Sequence, residues 1–180
     1  MTFTLQPIHL HNEFVKLVPL VPEDFESLFI VASDYLIWEQ HPNKNRYQLK
    51  DFQTYFDGAI KSGGAFLVLD TANNEIIGCS RFCNYSETNN RIEIGYTFLS
   101  RNHWGTTYNK ALKTLMLNHA FTFVSQVQFC IGANNLRSQI SIARLGAVKI
   151  GEAEVEYYGE AKKLNYIYQI DKEQWNIANL

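Results

Sequence analysis

Apolar and polar positions fall into blocks along the chain, and the period within each block predicts an element. From Arg91 to Leu99, Ile92, Ile94, Tyr96 and Phe98 alternate with Arg91, Glu93, Gly95 and Thr97, which is the two-residue period of a strand. Further on, Leu112, Leu115, Met116 and Ala120 recur at spacings of three and four and predict a helix over about residues 107 to 124. The polar break Ser100-Arg101-Asn102-His103 and the turn from Trp104 to Asn109 join the two. A strand feeding a helix through such a turn aims unpaired backbone N–H groups and the positive end of the helix dipole at one spot. An anion would sit there.

The same reading covers the rest of the chain. A strand is expected over residues 14 to 20, ended by Pro19 and Pro22. Pro22-Glu23-Asp24 then opens a helix that buries Phe25, Leu28, Phe29 and Ala32. After an aromatic segment around Trp38 and a polar break over residues 43 to 46, a second helix runs over about residues 49 to 61, stopped by Gly63-Gly64. Strands at residues 65 to 70 and 75 to 82 form a hairpin and lead into the strand ending at Leu99, so the sheet begins as an antiparallel meander. Beyond the following helix, the strand at 127 to 131 returns by a crossover, which makes it parallel to its predecessor. A helix at 136 to 145, strands near 148 to 152 and 164 to 170, and a short helix at 172 to 178 complete the chain.

Composition narrows the function classes. With 180 residues, 46% hydrophobic and 19% charged, the chain has a globular composition, and without a linker or repeat one domain is expected over residues 1 to 180. A net charge of −2 without basic clusters argues against a nucleic-acid partner. No apolar run is long enough to span a bilayer and no leader pattern opens the chain, so a cytoplasmic location is expected. Cys79, Cys83 and Cys130 read as reduced core thiols, and no cluster has the spacing of metal ligands.

Two linked segments carry a family resemblance. Glu93-Ile94-Gly95-Tyr96, followed by Trp104-Gly105-x-x-Tyr108-Asn109, resembles the cofactor motif of GNAT acetyltransferases, within them the RimJ/RimL-like branch; Asn135-Leu136-Arg137-Ser138 with the later Leu145-Gly146 is similar to the family's second coenzyme segment. Thr107 and Asn109 stand where the family loop usually has Gly and Gly or Ala. The resemblance implies an α/β (α+β) fold, with a mixed, mostly antiparallel sheet of six to seven strands, a splayed parallel pair and about four helices. It also implies an acetyl-CoA-dependent N-acetyltransferase acting on a primary amine, either a small molecule or a protein N-terminus, as a monomer or homodimer.

What it implies for residues is specific. Trp104, Gly105, Thr106, Thr107, Tyr108, Asn109, Asn135 and Ser138 would hold the coenzyme, with backbone N–H groups near Phe98 and Leu99 polarising the thioester carbonyl. Glu93 would draw the amine's proton; its alternative is a pair with Arg91 or Arg81 on a neighbouring strand. A family tyrosine that protonates the departing thiolate is replaced by Ile142, so either solvent would protonate the thiolate directly or a residue from elsewhere, such as Ser138 or Tyr108, would substitute. Trp38, Glu39 and His41 lie in the region that walls the acceptor site in this family. His103 is a further acid–base candidate, otherwise part of a solvated turn. Glu39, Glu152, Glu154, Glu156 and Glu160 would suit a cationic amine if they lined the cleft; otherwise they form a solvated face. Loss of the tyrosine and the altered loop glycines leave a second reading open, a catalytically weak or inactive acyl-CoA-binding module, and a third is a structural domain without a cofactor.

Overall fold

The computed structural model describes residues 4–178. In chain order its elements are β1 (Val15–Pro19), α1 (Phe25–Ala32), α2 (Leu49–Ser62), β2 (Ala65–Asp70), β3 (Ile76–Ser86), β4 (Arg91–Leu99), α3 (Tyr108–Ala120), β5 (Gln126–Gly132), α4 (Leu136–Ala143), β6 (Val148–Val155), β7 (Lys163–Asp171) and α5 (Lys172–Ala178). The seven strands form one sheet in the order β1-β2-β3-β4-β5-β7-β6. Every neighbouring pair is antiparallel except β4 and β5, which are joined through α3 and run parallel. This is the mixed fold expected, with five α-helices where about four were expected.

Core residues pack on both faces of the sheet. On one face Ile92, Ile94, Leu112, Met116, Leu117, Val127 and Phe129 are buried between the strands and α3. On the other, Leu28, Phe52, Tyr55, Phe56, Leu67 and Phe98 lie between the sheet and α1 and α2. α2 terminates on Gly63, whose φ of 62° is the left-handed conformation that closes a helix at low cost for glycine.

The regular alternation expected along β4 is broken. Cys79 pairs with Phe98 and Arg81 with Gly95, so Tyr96 and Thr97 together oppose Ser80 alone. This is a β-bulge, and Tyr96 takes a φ of 54° to make it. As a result Ile92 and Ile94 belong to the first core while Phe98 belongs to the second. The parallel pairing with β5 also ends early: Arg91, Ile92 and Glu93 pair with Gln126, Val127 and Gln128, and no further pair follows. β5 leaves β4 there and continues against β7 as far as Gly132. The facing edges of Ile94 to Leu99 and Phe129 to Gly132 therefore have no ladder partners in each other.

Candidate active site

The parted strands open onto a cavity of about 1020 Å³. Its walls are β4 from Glu93 to Leu99, β5 from Phe129 to Gly132, the turn from His103 to Thr107, the start of α3, and α4. The lining contains Arg46, Lys110, Lys113, Arg137 and Arg144 against a single acidic residue, Glu93, although the whole chain carries a net charge of −2. Such a concentration of basic residues beside the N-terminus of a 13-residue helix favours an anionic ligand.

The turn is built to stay open. Gly105 has a φ of 71°, which a side chain would disfavour, and its Cβ position faces empty space. The Trp104 indole donates to Leu99 O at 2.9 Å and ties the turn back to the end of β4. The Arg137 guanidinium lies 3.8 Å from the centre of the Trp104 ring. Asn109 Nδ2 donates to Ser141 Oγ at 2.7 Å, which holds α3 against α4. On α4, Asn135 Oδ1 caps the helix by accepting from the Ser138 amide at 3.2 Å. Tyr108 faces away from the cavity: its hydroxyl donates to Asp70 Oδ2 at 2.9 Å and its ring stands 4.6 Å from that of His103. The corner is thus not plugged by Tyr108. His103 in turn shares a 2.6 Å hydrogen bond with Ser100 Oγ.

Deeper in, Glu93 makes no ion pair with Arg91 or Arg81; its Oε2 accepts from Asn84 Nδ2 at 2.8 Å. Burial raises its pKa, partly opposed by the Asn84 hydrogen bond. Trp38 lines the cavity with its indole committed to Ala32 O at 2.7 Å. His41 also lines it; burial and the neighbouring Arg46 push its pKa well down, so the ring is neutral. Glu39 is exposed and lies outside the lining, as do the exposed Glu152, Glu154 and Glu156. Of the sequence-selected residues, the cavity thus gathers Glu93, Phe98, Leu99, Trp104, Gly105, Thr106, Thr107, Asn109, Asn135, Ser138, Trp38 and His41, and leaves out Glu39 and Tyr108.

Three lining residues, Arg46, Tyr157 and Lys113, carried no signal in the sequence. Arg46, read as part of a polar break, is 2% exposed and holds Glu160 with both Nε, at 3.0 Å, and Nη2, at 2.6 Å. Its guanidinium lies 4.8 Å from the Tyr55 ring centre and 5.4 Å from that of Tyr157. Tyr157, from the segment read as a polar excursion, stands edge-on to Tyr96 at 5.6 Å. Burial raises the Tyr96 pKa to about 12. Lys113, on the sheet-facing side of α3, donates to Thr97 Oγ1 at 2.5 Å. Each is polar in sequence and buried in space, a combination that hydrophobic periodicity cannot detect.

A parallel pair prised apart over a basic cavity, with a helix starting at its mouth, suits an anionic ligand held between the strands. The chain belongs to the GNAT acetyltransferase family: the family model for an acetyltransferase (GNAT) domain matches residues 15–148. Solved structures share the fold. A GCN5-related N-acetyltransferase from Brucella melitensis superposes with a TM-score of 0.75 at 18% identity, over 93% of this chain and 80% of that one. A GNAT-family acetyltransferase from Bacillus anthracis gives 0.72 at 16% identity, over 91% and 98%. Mycobacterium smegmatis RimJ, in complex with CoA-disulfide, gives 0.67 at 17% identity, over 89% and 83%. No curated protein matches the chain significantly. Family membership supports acyl transfer in general. Among the described residues no group of three or more His, Cys, Asp or Glu is placed to hold a metal ion, and no helix is long and apolar enough to cross a membrane.

Proposed function

We propose that this chain is an acetyl-CoA-dependent N-acetyltransferase that acetylates a primary amine, with a protein N-terminal amine among the acceptors that the RimJ/RimL-like resemblance implies. The observation that carries this reading is the loss of β4–β5 pairing beyond Glu93 directly over a cavity lined by five basic residues, of which Lys110, Arg137 and Arg144 carry charge outside any ion pair among the described residues. Acetyl-CoA supplies the activated acyl group, and the chain's residues do the rest.

The amides from Gly105 to Asn109, with Lys110, Arg137 and Arg144 around them, bind phosphate oxygens. The unpaired edges of Ile94 to Leu99 and Phe129 to Gly132 offer backbone hydrogen bonds to an amide-bearing arm, and the N–H groups near Phe98 and Leu99 stabilise charge on the reacting carbonyl. Glu93 accepts the acceptor's proton through water; the buried setting that raises its pKa makes it a stronger base than an exposed glutamate. Trp38 and His41 wall the acceptor side. Ser138, in the first turn of α4, lies on the coenzyme side. The free thiols of Cys79, Cys83 and Cys130 fit a cytoplasmic setting.

Ile142 favours a second reading. It is 3% exposed and lines the cavity where the family resemblance places an acid, so a module that binds acyl-CoA without turnover is the alternative. Incubation with acetyl-CoA and a panel of peptide N-terminal amines and small amines, followed by free-thiol detection, separates the two. Amine-dependent thiol release is expected of the enzyme; binding without release across the panel would establish the module.

A further inference from the structure

Lys113 is 4% exposed and lies on the wall of the cavity. Its Nζ bridges the place where the strands part: it is 2.5 Å from Thr97 Oγ1 in the bulge of β4 and 5.8 Å from the centre of the Phe129 ring on β5. Among the described residues no carboxylate comes within ion-pair distance of it. Among the described residues its hydrogen-bond partner is Thr97 Oγ1, itself 2.7 Å from Ser80 Oγ. A buried lysine without a counter-charge is costly as an ammonium, and desolvation pushes its pKa down to about 7. A large share of Lys113 is then a free amine at neutral pH, whereas an exposed lysine is almost wholly protonated.

We propose that Lys113 is an internal acyl acceptor, so that the chain transfers the acyl group of a bound CoA thioester to its own Lys113 Nζ when no external amine occupies the site. The inference rests on the reading of the cavity as the acyl-CoA site. In the step, the Nζ lone pair forms a bond to the thioester carbonyl carbon, the C–S bond breaks, and its electron pair leaves on sulfur. The proton shed by nitrogen passes to that sulfur, which departs as a thiol. The products are an Nε-acyl-lysine and a free CoA thiol. An amide does not return its acyl group to a second amine as a thioester does, so the product is a dead end. It also places extra atoms between β4 and β5, and the acylated chain is shut off from further thioester.

The test uses the purified chain, acetyl-CoA and no added amine, with thermal unfolding run alongside. Expected are a thermal shift on adding acetyl-CoA, a gain of one acetyl mass, peptide mapping of that mass to Lys113 rather than to exposed Lys110, suppression by excess CoA, and loss of the shift in the acetylated fraction. A readout without turnover is the side-chain NMR signal of Lys113, which is expected to move when unacylated CoA is added. A thermal shift without acetylation at Lys113, acetylation spread evenly over exposed lysines, or a Lys113 signal indifferent to saturating CoA would overturn the inference and leave the acetyltransferase reading standing. Absence of any thermal shift would overturn both. Lys113→Arg, which keeps the charge but removes the nucleophilic amine, is expected to abolish the adduct.

Discussion

At the scale of single residues, burial decides which polar groups matter. Glu93 is held by Asn84 rather than by a cation, and its raised pKa follows from burial. Glu93→Gln is expected to lower kcat roughly a hundredfold or more while leaving acetyl-CoA affinity nearly unchanged, read from steady-state kinetics and a binding titration. The base works deprotonated, so wild-type activity should fall as pH drops through its raised pKa. That acid limb lies above the pH where an exposed glutamate would place it and should be missing from the variant. The Arg46–Glu160 pair makes a different prediction. Arg46 is 2% exposed, so Glu160→Ala strands a buried guanidinium and is expected to cost about 3–5 kcal/mol in urea unfolding. Glu93 and the coenzyme turn were legible in the sequence because they lie within contiguous motifs. Arg46, Tyr157 and Lys113 were not, because nothing local distinguishes a charged residue on a solvated loop from one folded under three aromatic rings.

At the scale of elements, the bulge in β4 sets the geometry of the site. It turns Tyr96 toward Tyr157 and Thr97 toward Lys113 of α3. Gly78 on β3 lies against this part of β4: a Cβ there would sit 2.0 Å from Phe98 O. Gly78→Ala must push the strand away and is expected to destabilise the fold by roughly 1–3 kcal/mol, with a matching loss of acetyl-CoA affinity. Strand and helix positions were legible from period alone, because β2, β4 and α2 each bury one face or a whole run. Strict alternation put Tyr96 and Phe98 on the face of Ile92 and Ile94; the extra residue opposite Ser80 moves them to the other core. The early end of β4–β5 pairing leaves no trace in either strand's own composition, since both read as complete strands.

At the scale of the whole molecule, a chain of net charge −2 concentrates five basic residues on one cavity. That asymmetry arises because residues distant in sequence meet at the split sheet, so no run of basic residues announces it. Lys113 couples the cavity to stability. Its folded pKa of about 7 lies below that of the unfolded chain, near 10.4, so the unfolded state binds more protons between these values. Its contribution to stability should therefore rise with pH across that window. Lys113→Met should remove this component, visible as a wild-type minus variant difference in urea stability that grows with pH from about 7 to about 10. The neighbouring Cys83, whose buried thiol has a raised pKa, opposes stability at high pH in both proteins. The central claim, that the parted strands and the turn into α3 bind an acyl-CoA, is tested most directly by amide hydrogen exchange with and without saturating acetyl-CoA. The account predicts slowed exchange concentrated in residues 94–99, 104–110 and 129–138; unchanged exchange there, or protection confined to another face of the sheet, would contradict it.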